Sequence, residues 1–321
     1  MSQGKLFTRG MDQPKAVELA GTEGAYAPFF SPDRQWVAFF AQTKLKKISV
    51  EGGSTVDLCS IAAGGGGSWG EDGNIIAILN RIGGGLSRIP SAGGAPVPVT
   101  GLAQGELTHR WPQILPGGKA VLFTSSASLT EFDGANIEVM SLADHRRKAL
   151  ERGGPYGRYV PGPKGTGHLV YVNKGTMFAV PFDAGKLEVR GTPSPVLEDV
   201  VCSTIRGEAQ FDFSRNGTLV YRTGGAEGGD LLTVQWLDAA GKTQPLLAEP
   251  GVYRFLRLSP DGQRLAFGDG GHLGVRLAAG HDDAFDIFRI EQQPGLDPGR
   301  TVYRVHCSGR RHVGDSFRHP G

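Results

Sequence analysis

Apolar and polar positions along this chain alternate with a period of two. Short runs of β-branched and aromatic residues are each entered through a cluster of turn formers, the pattern of many short strands rather than of helices. The clearest unit is FFSPDRQWVAFF at 29–40, which returns as LSPDGQRLAF at 258–267. Weaker copies lie between them: WGEDG before NIIAI at 69–78, LPGG before KAVLF at 115–123, GPKG before HLVY at 162–171, and SRNG before TLVY at 214–221. Each residue of the tetrad has a mechanical role. Pro presets φ for the first turn position, Asp bonds backbone amides two residues on, and Gly accepts a positive φ. A second strand signal follows later in the unit, seen in LKKISVEGG at 45–53, LSRIPSAGG at 86–94 and MFAVPF at 177–182.

The Pro position and its equivalents fall at 32, 71, 116, 163, 215 and 260, so the intervals run from 39 to 52 residues. That is the period of a four-stranded propeller blade. A four-stranded sheet cannot bury both faces alone, whereas radially arranged blades bury one another. The predicted fold is therefore an all-β propeller of six or seven four-stranded blades, the last incomplete. The propeller spans 1–270. Its first segment, Lys5 to Pro14, reads as the outer strands of a blade whose own hairpin is missing. The chain then starts mid-blade, and either lends these strands to the last blade or belongs to a longer protein.

Composition agrees. The 50 glycines and 20 prolines make about a fifth of the 321 residues and are spread among apolar stretches rather than pooled in linkers, as tight turns between strands require. Lys and Arg (34) nearly balance Asp and Glu (32) for a net charge of +2, which gives no nucleic-acid or membrane signal. The cysteines Cys59, Cys202 and Cys307 stand far apart without metal-ligand spacing, and read as inert thiols. No apolar run reaches the ~18 residues of a membrane span, and the N-terminus lacks the apolar core of a signal peptide. No cofactor, metal or membrane insertion is expected, and the chain is expected to be a monomer.

After Gly270 the pattern stops. Residues 272–321 carry five of the eight histidines, seven arginines and no lysine. A reading frame displaced by one base from Gly271 permits D-I-W-V-Y-D-L, then R-D-T-M-T-R-L-T, then S-N-N-S-P-V-W-T-P-D-G-R-Y-I-A-F, which is the missing half-blade and the next hairpin. The segment 271–321 is accordingly expected to be an irregular tail, an out-of-frame translation of the next blade. Sequencing the gene tests this.

Chemical motifs are few. Gly66-Gly67-Ser68-Trp69-Gly70 matches the G-x-S-x-G of a hydrolase elbow, but it lies in a glycine run leading into a repeat strand and lacks the helix that motif needs. No kinase element is present: the run from Gly268 to Val275 misplaces its third glycine, and there is no V-A-I-K, H-R-D or D-F-G. Asp282, Asp283 and Asp286 do not have calcium-loop spacing. What remains is a loop set at one phase of the repeat, just before each innermost strand: Tyr26, His109 with Arg110, Tyr156 with Arg158, Arg206 with Glu208, and Tyr253 with Arg254. Such loops converge at one mouth of a propeller channel. Aromatic and arginine residues there suit recognition of a protein or peptide partner, and the arginines suit an anionic one.

The phrasing GTEGAYAPFFSPD, KLKKISVEGG and ELTHRWPQILPGGKAVLFT resembles the TolB-type, WD-like propeller repeats of bacteria, over residues 5 to about 270. It is most similar to propellers behind bacterial serine/threonine protein kinases. That resemblance implies a non-catalytic interaction or sensory module, lying outside the cytoplasm if its parent is a membrane kinase. Alternatives are the gating propeller of a prolyl-oligopeptidase-like peptidase, a TolB-like periplasmic binding propeller and, in another class, a calcium lactonase with Glu, Asn and Asp on the channel floor.

Overall fold

A computed structural model describes residues 4–13, 15–162, 166–215, 218–222, 232–237, 243–251, 253–269, 287–294 and 301–308. Among them there is no helix. Six antiparallel sheets follow the repeat, five of four strands and one of five. Sheet I holds Tyr26–Phe30, Trp36–Ala41, Lys44–Ser49 and Val56–Ser60. Sheet II holds Gly67–Trp69, Asn74–Ile78, Leu86–Pro90 and Val97–Pro98, and sheet III holds Thr108–Ile114, Ala120–Ser126, Asn136–Ser141 and Arg147–Arg152. Sheet IV has Arg158–Pro161, Thr166–Asn173, Thr176–Asp183 and Glu188–Val189, with Ser194–Leu197 as a fifth strand on Thr176–Asp183. Sheet V has Phe211–Phe213, Leu219–Arg222, Leu232–Leu237 and Thr243–Gly251.

Sheet VI joins the two ends of the repeat region. Tyr253–Leu258 and Arg264–Asp269 are continued by Leu6–Gly10 and Val17–Leu19, with Leu6 opposite Gly268 and Phe7 opposite Phe267. The sheet that the sequence leaves half-built thus has four strands, because the N-terminal segment supplies the outer two. Leu6 and Leu19 are fully buried there. Arg9 donates to the Leu246 carbonyl of sheet V at 2.7 Å. In the tail, Ile287–Pro294 pairs with Thr301–Ser308; the other residues of 271–321, and the frame-shift expectation with them, lie outside the described residues.

The turn tetrad is wired as its composition requires. Ser31 Oγ accepts the Trp36 N–H at 3.0 Å and donates to Asp33, which also accepts the Gln35 N–H at 3.0 Å. Ser259 and Asp261 repeat these bonds on Arg264 and Gln263 at 2.9 and 3.1 Å. The left-handed position is a glycine in one copy (Gly262, φ 70°) and an arginine in the other (Arg34, φ 68°).

The first strands of sheets V and VI, VI and I, I and II, and II and III touch, and polar side chains tie first strands together at a fixed interval. Ser68 Oγ accepts the Ile114 N–H at 2.9 Å, Gln113 Oε1 the Tyr159 N–H at 2.7 Å, and Asp212 Oδ2 the Leu258 N–H at 2.8 Å, each across 46 residues. Ser68, the serine of the hydrolase-like motif, is therefore an inter-sheet strap. The glycines before it are there for space. A Cβ on Gly64 would lie 2.3 Å from the Phe40 ring, and Gly66 has φ +97° with its Cβ position 2.7 Å from Trp111.

The inner strands of sheets I, III and VI each begin with an irregularity that sequence reasoning does not detect. Ala27, Trp111 and Phe255 have φ of 46°, 54° and 56°, and each sits at a register shift, between Tyr26 and Phe29, Arg110 and Gln113, and Arg254 and Arg257. Such bulges bend a strand and re-aim its side chains. The freed amides are re-satisfied by the preceding sheet: Trp111 N–H donates to the Gly65 carbonyl and Phe255 N–H to Gln210 Oε1. The bulges stand at the end of the channel where the pre-strand loops gather.

Candidate functional site: the arginine-lined channel mouth

The hairpin Cys202–Ser203 with Glu208–Ala209 precedes the inner strand of sheet V. Its turn reaches sheet III: the Arg206 carbonyl accepts Arg110 Nη1 at 3.2 Å and Trp111 Nε1 at 3.1 Å, and the Thr204 carbonyl accepts the Phe132 N–H. Gly207 lies so close to the Phe132 ring that a Cβ would come within 2.3 Å. Arg110 is the clamp at this crossing. It stacks 4.3 Å over Phe132 and also donates to the carbonyls of Leu129 (3.2 Å) and Arg81 (3.4 Å).

Glu208 stands at the centre. Burial pushes its carboxyl above the ordinary range, opposed by the fields of Arg206, Arg257, Arg254 and Arg81. In turn it acts on Arg110 and Arg222, two guanidiniums that burial pulls down to about 10. Its closest ion-pair contact is Arg206 at 3.7 Å, and its Oε2 is buried with no hydrogen-bond partner among the described residues. Arg222 donates to the Tyr253 carbonyl at 2.5 Å, but its Nε is likewise buried and has no partner among the described residues. Arg81 and Arg254 are half-buried, and their guanidiniums make no hydrogen bond or ion pair among the described residues.

In the core, the fully buried Tyr156 ring is met by Arg158 at 3.9 Å and by Arg257 at 5.6 Å. Arg158 is buried and donates to the Trp111 and Gly157 carbonyls, both at 3.0 Å. Burial raises the Asp212 carboxyl, against the pull of Arg257 and Arg158.

Of the residues chosen from sequence, the structure brings Arg110, Arg206, Glu208 and Arg254 together at the mouth. Tyr156 and Arg158 lie beneath it. Tyr253 contributes a carbonyl, while its ring packs edge-on to Phe267. Tyr26 stacks on Phe40 and accepts the Gly64 N–H at 3.0 Å.

His109 belongs to a separate buried network between sheets II and III. Its Nε2–H donates to Glu106 at 3.0 Å, and its Nδ1 accepts from the Thr100 hydroxyl at 2.7 Å. Arg147 bridges Glu106 and Glu138. Burial holds the imidazole below its ordinary pKa, against the pull of Glu106. The chain interval hides this network: Glu106 and Arg147 are 41 residues apart.

Arg81, Arg222 and Arg257 were not chosen from sequence. Arg81 sits in a loop between second and third strands, at the same end of the sheet as the pre-strand loops. That shared end is the signal that could have found it.

Other surfaces are less suited. A groove of about 790 Å³ on sheet VI is lined by Arg34, Glu51, Asp261 and Arg264, but these are already paired, Arg34 with Asp261 at 2.7 Å and Arg264 with Glu51 at 2.6 Å. Among the described residues no group of three or more His, Cys, Asp or Glu stands close enough to hold a metal ion.

No family profile matches the chain, and no curated protein matches it in sequence. Its structure is similar to solved propellers. A protein described as TolB from Agrobacterium tumefaciens superposes with a TM-score of 0.60 at 16% identity, covering 83% of this chain and 98% of that one. Regucalcin from the same organism, described as calcium-binding, gives 0.53 at 15% identity over 82% and 92% of the two chains. A gluconolactonase from Xanthomonas campestris gives 0.52 at 12% identity over 76% and 85%. At these identities the likeness establishes the TolB-like propeller fold.

Proposed function

We propose that the chain is a non-catalytic propeller module that recognises an anionic protein or peptide partner at one mouth of its channel. The observation that carries this reading is the gathering of guanidiniums from four sheets around one carboxylate, with Arg81 and Arg254 making no hydrogen bond or ion pair among the described residues. Buried like charge is unfavourable unless a counter-charge joins it, and planar guanidiniums match carboxylates in bidentate geometry. The residues that could suggest catalysis are otherwise engaged: Ser68 straps Ile114, and His109 is held on both ring nitrogens. We read the six sheets as six blades of one ring. The sequence resemblance to kinase-borne propellers supports reading this module as part of a sensory receptor of that type, which the gene neighbourhood would test.

The direct test uses a fluorescein-labelled oligo-glutamate peptide in anisotropy titrations across ionic strength. Binding should weaken with salt, and the double variant Arg81→Ala, Arg254→Ala should bind at least about tenfold more weakly. Unchanged binding by that variant, with an unchanged melting temperature, would sink the reading.

A further inference from the structure

We infer that the mouth takes the C-terminal carboxylate of a peptide whose last residue is apolar, an inference that rests on the reading of the mouth as an anion site. The unsatisfied atoms define the ligand. Among the described residues, Glu208 Oε2 is an acceptor without a donor on a residue only 7% exposed, and Arg222 Nε is a donor without an acceptor on a residue 3% exposed. The two residues lie within electrostatic reach of each other. Buried polar atoms normally have partners, so each orphan points to a group that completes it.

A free phosphate would serve the arginines but would set its oxygens against the Glu208 carboxylate. An internal Asp or Glu side chain carries no N–H next to its carboxylate. A chain terminus carries both: a carboxylate for Arg81, Arg254 and Arg222, and the last peptide N–H, two bonds from the carboxylate carbon, for Glu208 Oε2. An amino terminus would bring its positive charge among the guanidiniums and is disfavoured.

The surface around the arginines supplies the apolar part. Arg110 donates to the carbonyls of both Arg81 and Arg206, which pins these two loops side by side. The residues next to these arginines, Ile82 and Ile205, are 63% and 64% exposed. These two exposed isoleucines, one beside Arg81 and one beside the Glu208-paired Arg206, form a ledge for an apolar side chain attached to a carboxylate. Charge complementarity fixes the occupant's terminal group, and the ledge fixes its last side chain.

The test is anisotropy with a fluorescein-labelled hexapeptide ending in leucine, offered as free acid, as C-terminal amide, and with its last peptide nitrogen methylated. An amidated hexapeptide with two internal aspartates is the fourth probe. The free acid should bind, and the amide should bind at least about thirtyfold more weakly. N-methylation should weaken binding about tenfold, a loss that disappears in Glu208→Ala. Ile82→Ser with Ile205→Ser should weaken the free acid about tenfold without lowering the melting temperature. Equal binding of acid and amide overturns the inference. If the aspartate peptide binds and the free-acid leucine peptide does not, the terminus is wrong and the anion-site reading stands. If neither binds, both fall.

Discussion

Replacing Glu106 by glutamine should cost the protein about 2 kcal/mol at neutral pH and less in acid. Glu106 accepts two bonds from Arg147 (2.5 and 3.1 Å), one from His109 (3.0 Å) and one from the Ala103 N–H (2.6 Å). Glu138 holds the other side of Arg147 at 2.8 Å and accepts the Ser125 hydroxyl at 2.5 Å. Burial acts against the Glu106 charge, yet these donors draw its carboxyl from 4.5 to about 2. The difference from an unfolded carboxyl corresponds to about 3 kcal/mol. Glu106 and Arg147 keep 15% and 22% of their side-chain surface, so water screens part of it and about 2 kcal/mol is the expected loss.

The sign with pH follows from a folded pKa below the unfolded one. The contribution is complete above about pH 4.5 and falls as pH drops toward 2, with less than half left at pH 3. His109, kept neutral by burial, has the same sign: its contribution is complete above about pH 6.5 and is lost as pH falls below that. Glu106 opposes this lowering, so the imidazole is held lower still in the variant. Differential scanning fluorimetry should show Glu106→Gln melting about 4 to 8 °C below wild type at pH 7, and a gap at pH 3 less than half as wide. Melting within about 1 °C of wild type at pH 7, or a gap that widens in acid, would refute the assignment.

Gly66→Ala should lose about 2–4 kcal/mol, because a side chain must adopt φ +97° and enter the Trp111 ring; a melting curve like wild type's would show that the glycine run has slack. Leu6→Ala should cost about 2–5 kcal/mol, since Leu6 is fully buried in the joined sheet, whereas Val17→Ala on the exposed edge of the same sheet should stay within about 0.5 kcal/mol. Equal effects of these two changes in urea titrations would argue against the pairing of Leu6–Gly10 with Arg264–Asp269. Burial raises the thiols of Cys59 and Cys202, so their alkylation by iodoacetamide at pH 7.5, followed peptide by peptide, should run at least about tenfold slower than that of a free thiol.

The parts of this molecule that are legible in its sequence are those whose interactions close within a few residues. Ser31, Asp33 and Trp36 satisfy one another across five positions, so the tetrad announces its own turn, and its interval announces the propeller. The N-terminal strands were legible only as two alternatives, because Leu6 finds its partner at Gly268, beyond any local pattern. The mouth lies between these cases. Loop phase was enough to select Arg110, Arg206, Glu208 and Arg254, yet it also selected His109, whose ring is turned into a network built from residues up to 41 positions apart. What separates the two outcomes is the bulge at Trp111, where an aromatic residue adopts φ 54°. Glycine at such a site would have been a signal; tryptophan is not, since its positive φ is imposed by the bond from its N–H to the Gly65 carbonyl of the neighbouring sheet. Arg110, immediately before the bulge, stacks on Phe132 and meets Arg206, whereas His109, one residue earlier, packs on Phe123 and meets Glu106. Adjacent residues of one strand therefore serve different ends: one assembles the mouth, and the other locks sheet II to sheet III.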